Sequence, residues 1–262
     1  ITLAGQRGIG VPELIKAGLV LQSDRGGYDR FRNRLIFPIR DVHGAVVGFT
    51  ARTLTDDPNE PKYINTPQTP LYNKSAVLYG LDRARQSAKK TDLAVVVEGN
   101  MDVIACHQAG FENTIAVSGT AFTREQLELI RRFTSRIAVA FDADAAGVRA
   151  AEKGIDLAIA EAFQVRVIQI PDGAGKDPDE AIKKDPSVWR RAVDQSMPVM
   201  DWFFARAFDH ADLEKPETKS AIGRMLLPRI ARIPDAIERT HWIQQLSKHL
   251  NVPEDVLREQ MS

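Results

Sequence analysis

The stretch Leu93-Ala94-Val95-Val96-Val97-Glu98-Gly99-Asn100-Met101-Asp102 runs a short apolar segment straight into acidic residues. Further on, Ile137-Ala138-Val139-Ala140-Phe141-Asp142-Ala143-Asp144-Ala145-Ala146-Gly147 does the same. A brief, uninterrupted apolar run reads as a strand buried on both faces of a parallel sheet. The residues after each acidic stop have helical spacing. In open α/β sheets ligands gather beyond the carboxyl ends of strands, so Glu98, Asp142 and Asp144 are expected to converge. Carboxylates held together repel one another unless cations neutralise them, and hard oxygen donors suit Mg2+ or Mn2+. The two strand ends therefore predict a metal site.

Outward from that site the chain keeps an alternating rhythm. Strands are expected at Leu93–Val97, Asn113–Val117, Ile137–Phe141 and Val165–Ile170, with helices at Met101–Ala109, Thr123–Phe133 and Ala145 to about Phe163. Such alternation argues a mostly parallel sheet flanked by helices. A Gly-rich acidic loop, Pro171-Asp172-Gly173-Ala174-Gly175-Lys176-Asp177-Pro178-Asp179-Glu180, comes after the last strand. On pattern alone it is a turn into a helix, with Asp177 or Asp179 as N-cap.

The first ninety residues differ in character. A helix over Val11–Gly18 precedes Arg30-Phe31-Arg32-Asn33-Arg34, whose arginines would share one face of an extended strand. A β-hairpin comes next, with Leu35–Asp41 and Ala45–Arg52 joined at His43-Gly44. Clustered like charges cost stability, so a polyanion is the natural partner, unless the run is a charged edge strand guarding against aggregation. Pro61-Lys62-Tyr63-Ile64-Asn65-Thr66-Pro67 and Leu71-Tyr72-Asn73-Lys74 are irregular, extended segments suited to phosphate contact and stacking. Helical spacing resumes over Ser75–Lys89.

From Pro186 the chain reads as helices, each opened by proline, with Trp189, Trp202, Phe203, Phe204, Phe208 and Trp242 as core. Three parts are expected: a basic α+β subdomain (1–90), a metal-binding α/β subdomain (91–185) and a helical subdomain (186–262). Net charge is zero over the 262 residues, but residues 1–90 hold 14 Lys/Arg against 8 Asp/Glu, and residues 91–185 hold 10 against 16. A basic part beside an acidic one fits a polyanion channel next to a cation site; chance partition of surface charge would give the same totals. With 44% hydrophobic residues the chain can bury a large core. No apolar run is long enough to span a membrane. The lone Cys106 builds neither a disulfide nor a cysteine zinc cluster, fits a cytosolic setting, and reads as buried filler.

Glu-Gly-x-Met-Asp after one strand and Asp-x-Asp-x-x-Gly after a later one resemble the TOPRIM fold of primases, topoisomerases and certain nucleases. The flanks are more selective. Arg30-Phe31-Arg32-x-Arg34, Ile36-Phe37-Pro38-Ile39-Arg40-Asp41, Pro61-Lys62-Tyr63-x-Asn65-x-Pro67, Leu78-Tyr79-Gly80-Leu81 and Lys176-Asp177-Pro178-Asp179 together look like the central RNA polymerase part of bacterial DnaG-type primases. The resemblance implies that Glu98, Asp142 and Asp144 are the principal Mg2+ (or Mn2+) ligands and catalytic residues. It implies that Asp102, Asp177 and Asp179 are outer acids that hold a second ion or reach the nucleotide through water. It assigns Arg30, Arg32, Arg52, Lys62, Asn65 and Lys74, with Tyr63 beside them and Arg34 fitting the pattern less closely, to the surface that holds template and nucleotide phosphates. Asn100 departs from the family's usual aromatic, and Ala143 from its usual glycine.

The implied activity is synthesis of a short RNA primer from ribonucleoside triphosphates on single-stranded DNA, in the cytoplasm, at a bacterial replisome. Two domains of the family are expected to lie outside this chain: the zinc-binding domain, so that no zinc is held here, and a C-terminal domain that engages the replicative helicase. A topoisomerase or nuclease built on the same acids, or a binding module without catalysis, are the rival readings.

Overall fold

In a computed structural model, residues 1–24, 26–55, 57–117, 122–140 and 145–261 are described, with the backbone path alone for 145–151. The chain opens with helices α1 (Thr2–Gln6) and α2 (Val11–Lys16) and a small antiparallel hairpin, β1 (Val20–Ser23) and β2 (Gly26–Asp29). Next comes an antiparallel three-stranded sheet of β3 (Arg34–Arg40), β4 (Val46–Thr53) and β5 (Tyr63–Asn65). The β3–β4 hairpin was expected, and it turns at Asp41–Gly44, where the Asp41 carboxylate accepts from the His43 and Ala45 amides.

Two expectations fail in this part. The run Arg30–Arg34 is not one extended strand: it is the connection from β2 into β3, and Asn33 sits at φ 51°, outside strand backbone. The helix expected over Ser75–Lys89 is also broken up. A 3-10 turn (Lys74–Ala76) is followed by extended backbone, and α3 runs over Leu81–Thr91. The break is Gly80, at φ +82°, where a Cβ would come within 2.8 Å of Val103; only glycine holds that left-handed corner cheaply. The extended residue before it, Tyr79, forms a bridge to Ala116.

The second part is the alternating one. It comprises β6 (Ala94–Val97), α4 (Asn100–Gln108), β7 (Thr114–Ala116), α5 (Arg124–Arg131), β8 (Arg136–Ala140), α6 (Ala145–Ala160) and β9 (Gln164–Ile168). The sheet order is β10-β9-β8-β6-β7, parallel except that the edge strand β10 (Met197–Pro198) runs antiparallel to β9. Every residue of β6 is buried, as a strand covered on both faces requires. From β6 the chain moves one way to β7 and then back across to β8, so a topological switch point lies between β6 and β8.

Helices α7 (Pro178–Lys184), α8 (Pro186–Asp194), α9 (Val199–Phe208), α10 (Pro216–Arg232), α11 (Ala236–Leu250) and α12 (Glu254–Glu259) complete the chain. Trp189, Trp202, Phe203 and Phe204 are buried, and α9–α11 pack with the sheet into one apolar core that includes Leu226, Ile230, Ile243 and Leu246. Cys106 lies in a second cluster on the other side of the sheet, around Trp189 and Phe111. Among the described residues no helix is long and apolar enough to cross a membrane.

Candidate nucleotide and metal cleft

Beyond the carboxyl end of β6, beside the switch point, opens a cleft of about 680 Å3. One wall carries Glu98, Asp102, Asp177 and Asp179; the facing wall carries Arg52, Lys62, Tyr63, Asn65 and Lys74. Nine residues singled out in the sequence thus meet in one place, although they come from five separate stretches of chain.

The acidic wall is built from two loops locked together. Val97 ends β6, Glu98 comes directly after it, and Gly99 caps α4. Asp102, in the first turn of α4 and nearly buried, accepts from the Gly99 amide at 3.0 Å. Its second oxygen accepts from the Asp179 amide at 3.2 Å, so one carboxylate spans the loop of Glu98 and the loop of Asp177 and Asp179. Asp177 is the N-cap of α7, accepting from the Glu180 amide at 2.8 Å. The helix-cap reading and the acidic-wall reading are both met by this one residue. Asp179 pairs with Lys183 at 2.6 Å. That hydrogen bond and charge raise the Lys183 pKa, while Arg52 from the opposite wall opposes the rise. Glu180 is held below the usual carboxylate range, first by the Lys176 amide it accepts from.

The basic wall is the front of the three-stranded sheet. Thr50 pairs with Asn65 and Arg52 with Tyr63, so these side chains share a face. Arg52 lies over the Tyr63 ring at 5.9 Å. Lys74 comes from elsewhere, on the 3-10 turn, whose backbone is tied to α5. The fully buried Gln126 amide donates to the carbonyls of Lys74 (3.2 Å) and Val77 (2.9 Å), and Thr123 donates to Ser75 at 2.5 Å. Lys62 and Lys74 form no ion pair among the described residues.

Three predicted residues sit elsewhere. Arg30, Arg32 and Arg34 line a separate pocket, not the cleft. Arg32 packs over Tyr28 at 4.9 Å. Asp142 and Asp144 lie outside the described residues, beyond the end of β8, which pairs directly with β6. Thr50, Lys176, Glu180 and Lys183 also line the cleft without having been singled out. Lys183 was within reach of sequence reasoning, because it stands four residues after Asp179 and so shares its helical face. Thr50 needed the strand register.

The donors on the acidic wall are all carboxylate oxygens, a set that suits a hard divalent cation. Among the described residues no group of three His, Cys, Asp or Glu side chains forms a complete ion site. Of the four tyrosines, Tyr72 is buried and Tyr79 partly so, and burial raises both phenol pKa values, which makes these two poor nucleophiles; Tyr28 and Tyr63 are exposed.

Comparisons with known proteins show the family. Three family models match in order along the chain: "DNA primase catalytic core, N-terminal domain" over residues 2–85, "Toprim-like" over 95–182, and "DnaB-helicase binding domain of primase" over 200–255. The last falls on helices in which the sequence showed no chemistry, and inside a chain from which the helicase-engaging domain was expected to be missing. A DNA primase of Clostridium acetobutylicum is 37% identical over 251 residues, 95% of this chain. The chain spans 41% of that relative's length. A DNA primase domain from Pseudomonas aeruginosa superposes with a TM-score of 0.84 at 34% identity, covering 95% of this chain and 78% of that one. A structure described as the DnaG primase catalytic domain bound to ssDNA gives 0.84 and 34%, covering 97% and 81%.

Proposed function

We propose, from the premise that this chain belongs to the DnaG primase catalytic-core family, that it performs template-directed joining of ribonucleoside triphosphates into a short RNA primer on single-stranded DNA. The observation that carries the reading is the two-walled cleft at the switch point, with Glu98 on the acidic wall and Lys62 and Lys74 on the other. A nucleoside triphosphate needs both: cations for its phosphates, and carboxylates that bring a divalent ion to the phosphorus.

In this mechanism a 3′-hydroxyl attacks the α-phosphate and pyrophosphate leaves. Mg2+ or Mn2+, when bound, supplies Lewis-acid activation of the attacking oxygen and neutralises charge on the leaving group. Glu98, with Asp142 and Asp144, is the proposed ligand set, and Asp177 and Asp179 are outer acids. Asp102 acts mainly by holding the two acidic loops in register, since it already accepts from the Gly99 and Asp179 amides. Lys62, Lys74 and Arg52 hold the triphosphate and the template backbone as point charges. Tyr63 offers a ring face to a base, and Asn65 a polar side chain. No protein side chain serves as nucleophile. Sequence is read by base pairing, so the protein needs only to grip phosphates, and template affinity falls with salt.

The division into parts 1–90, 91–185 and 186–262 is proposed on the same footing, with the helical part engaging a replicative helicase, in the bacterial cytoplasm. The test is incubation with single-stranded DNA, Mg2+ and labelled ribonucleotides. New RNA from the wild type and none from Glu98→Ala supports primer synthesis. Cleavage of the DNA, or binding without either reaction, would displace it.

A further inference from the structure

The three arginines of the Arg30–Arg34 run lie behind the basic wall, not in it. Residues alternate between faces along a strand, and the ladder sends Arg52, Tyr63 and Asn65 to the cleft side. Ile64 and Ala51 turn the other way. Arg34 pairs with Thr53, which puts it on that back face, and Ile64 lines the rear pocket with Arg30, Arg34 and Glu60.

The strand in front of them needs support. β5 has three residues, lies between Pro61 and Pro67, and pairs with β4 on one edge only. The two arginines hold it at both ends. Arg30 donates from Nε (3.2 Å) and Nη2 (3.0 Å) to the Asn65 carbonyl. Arg34 donates from Nη1 to the Pro61 carbonyl at 2.8 Å, with Nη2 3.6 Å from Glu60. Lys62 and Tyr63 lie between those two carbonyls. Between the arginines, Phe31 packs edge-on against Phe49 at 6.1 Å and anchors the connection. The Arg34 side chain is only 6% exposed, too little to meet a DNA backbone.

We propose that Arg30 and Arg34 are positioning residues: they fix the Pro61–Asn65 segment so that Lys62 and Asn65 face the acidic loops. The role rests on the primer-synthesis reading for its consequence, though not for its geometry. A guanidinium fork can give two donors to one carbonyl in a fixed plane, which an ammonium on a flexible stem does not reproduce.

The test compares Arg30→Ala, Arg30→Lys, Arg34→Ala and Arg34→Lys in the intact protein, reading nucleotide KM and kcat and the salt dependence of single-stranded DNA binding by fluorescence anisotropy. Positioning predicts a nucleotide KM raised about fivefold in Arg30→Lys, the scale of one lost hydrogen bond, with the log–log salt slope as in wild type. It also predicts that Arg34→Ala adds little to the KM of Lys62→Ala, because both act through one lysine. A phosphate contact predicts the reverse: a slope reduced by about 0.7 for each arginine removed, restored by Lys. That pattern, or an unchanged KM in all four variants, overturns the proposal. If the alanine variants do not fold, the lysine variants decide it. A wild type that binds DNA yet makes no primer sinks the functional reading alone, since the salt slope still reports whether the arginines meet phosphate.

Discussion

Two groups of arginines and lysines in this molecule are built from the same side chains and do different work. In the junction between α6 and the C-terminal helices, cations and carboxylates interleave. Arg229 reaches Glu152 at 2.9 Å and Asp156 at 3.5 Å, Arg232 reaches Asp156 at 3.4 Å, and Arg206 reaches Glu152 at 3.6 Å. Arg229 also lies 4.2 Å over the Phe203 ring and is 13% exposed. In the cleft, Lys183 and Lys176 pair with Asp179 and Glu180 on the acidic side, while Arg52, Lys62 and Lys74 line the other side of an opening of about 680 Å3. Interleaved charge is neutralised within the fold and holds elements together. Charge placed around open space suits a ligand, and the proposed reading fills it with one that carries both phosphate and metal. The difference is one of spacing, not of composition.

The largest expected break in that contrast is Glu98→Ala. Charge stabilisation by a bound ion is worth several kcal/mol, so primer synthesis should fall on the order of 10^3-fold while the melting temperature stays within about 2 °C of wild type. Arg229→Ala should do the opposite. It leaves Glu152 and Asp156 short of a partner in a partly buried site, at a cost of about 2 kcal/mol, or a Tm lower by roughly 4–8 °C, with kcat of the folded protein within about twofold.

The junction also has a pH signature. Burial raises the Asp156 carboxyl above its ordinary value, against the pull of Arg229 and Arg232. The folded state therefore takes up that proton before the unfolded chain does. Ionised Asp156 costs stability above its folded pKa, and the cost is relieved as pH falls through it. Without Arg229 the shift grows, so the Arg229→Ala deficit should be smaller near pH 5 than at pH 7 in thermal melts. A deficit independent of pH would remove Asp156 from the account.

Smaller again, Lys62→Ala should raise nucleotide KM about tenfold, the scale of one charge-assisted hydrogen bond, with no change in Tm. The smallest effect is a silence. Cys106 is fully buried, and burial pushes its thiol up to about 12. A thiol reagent should label it only after unfolding, and rapid labelling of the native protein would contradict its place in the core.

Most of what positions the cleft was legible in the sequence. The apolar runs Leu93–Val97 and Ile137–Phe141 gave the sheet, because a strand covered on both faces tolerates no polar residue. The alternation gave parallel order, and the acidic stop after Val97 gave the end of the sheet at which the cleft opens. What was illegible depends on pairing partners far apart in the chain. Arg30, Arg32 and Arg34 look like a cationic face until the chain bends at Asn33 and the register of β3, β4 and β5 puts Arg34 behind the sheet, with Arg30 and Arg32 lining the same rear pocket. Asp102 reads only as an acid near Glu98 until the structure brings the Asp179 amide, 77 residues away, to its second oxygen. The Glu152–Arg229 link has the same separation and left no local signal. Val77, Leu78, Leu81 and Ala84 kept helical spacing across a left-handed Gly80, so periodicity alone joined what one glycine divides. The two-residue β10 is too short to show any period.

The central claim is that the two walls bind one metal-bound nucleotide between them. A crystal soaked with Mn2+ and a ribonucleoside triphosphate tests it most directly, through the anomalous signal of the ion. The account predicts manganese against the Glu98 carboxylate with the triphosphate reaching Lys62 and Lys74. Manganese bound away from Glu98, or a triphosphate held in the rear pocket by Arg30 and Arg34, would contradict it.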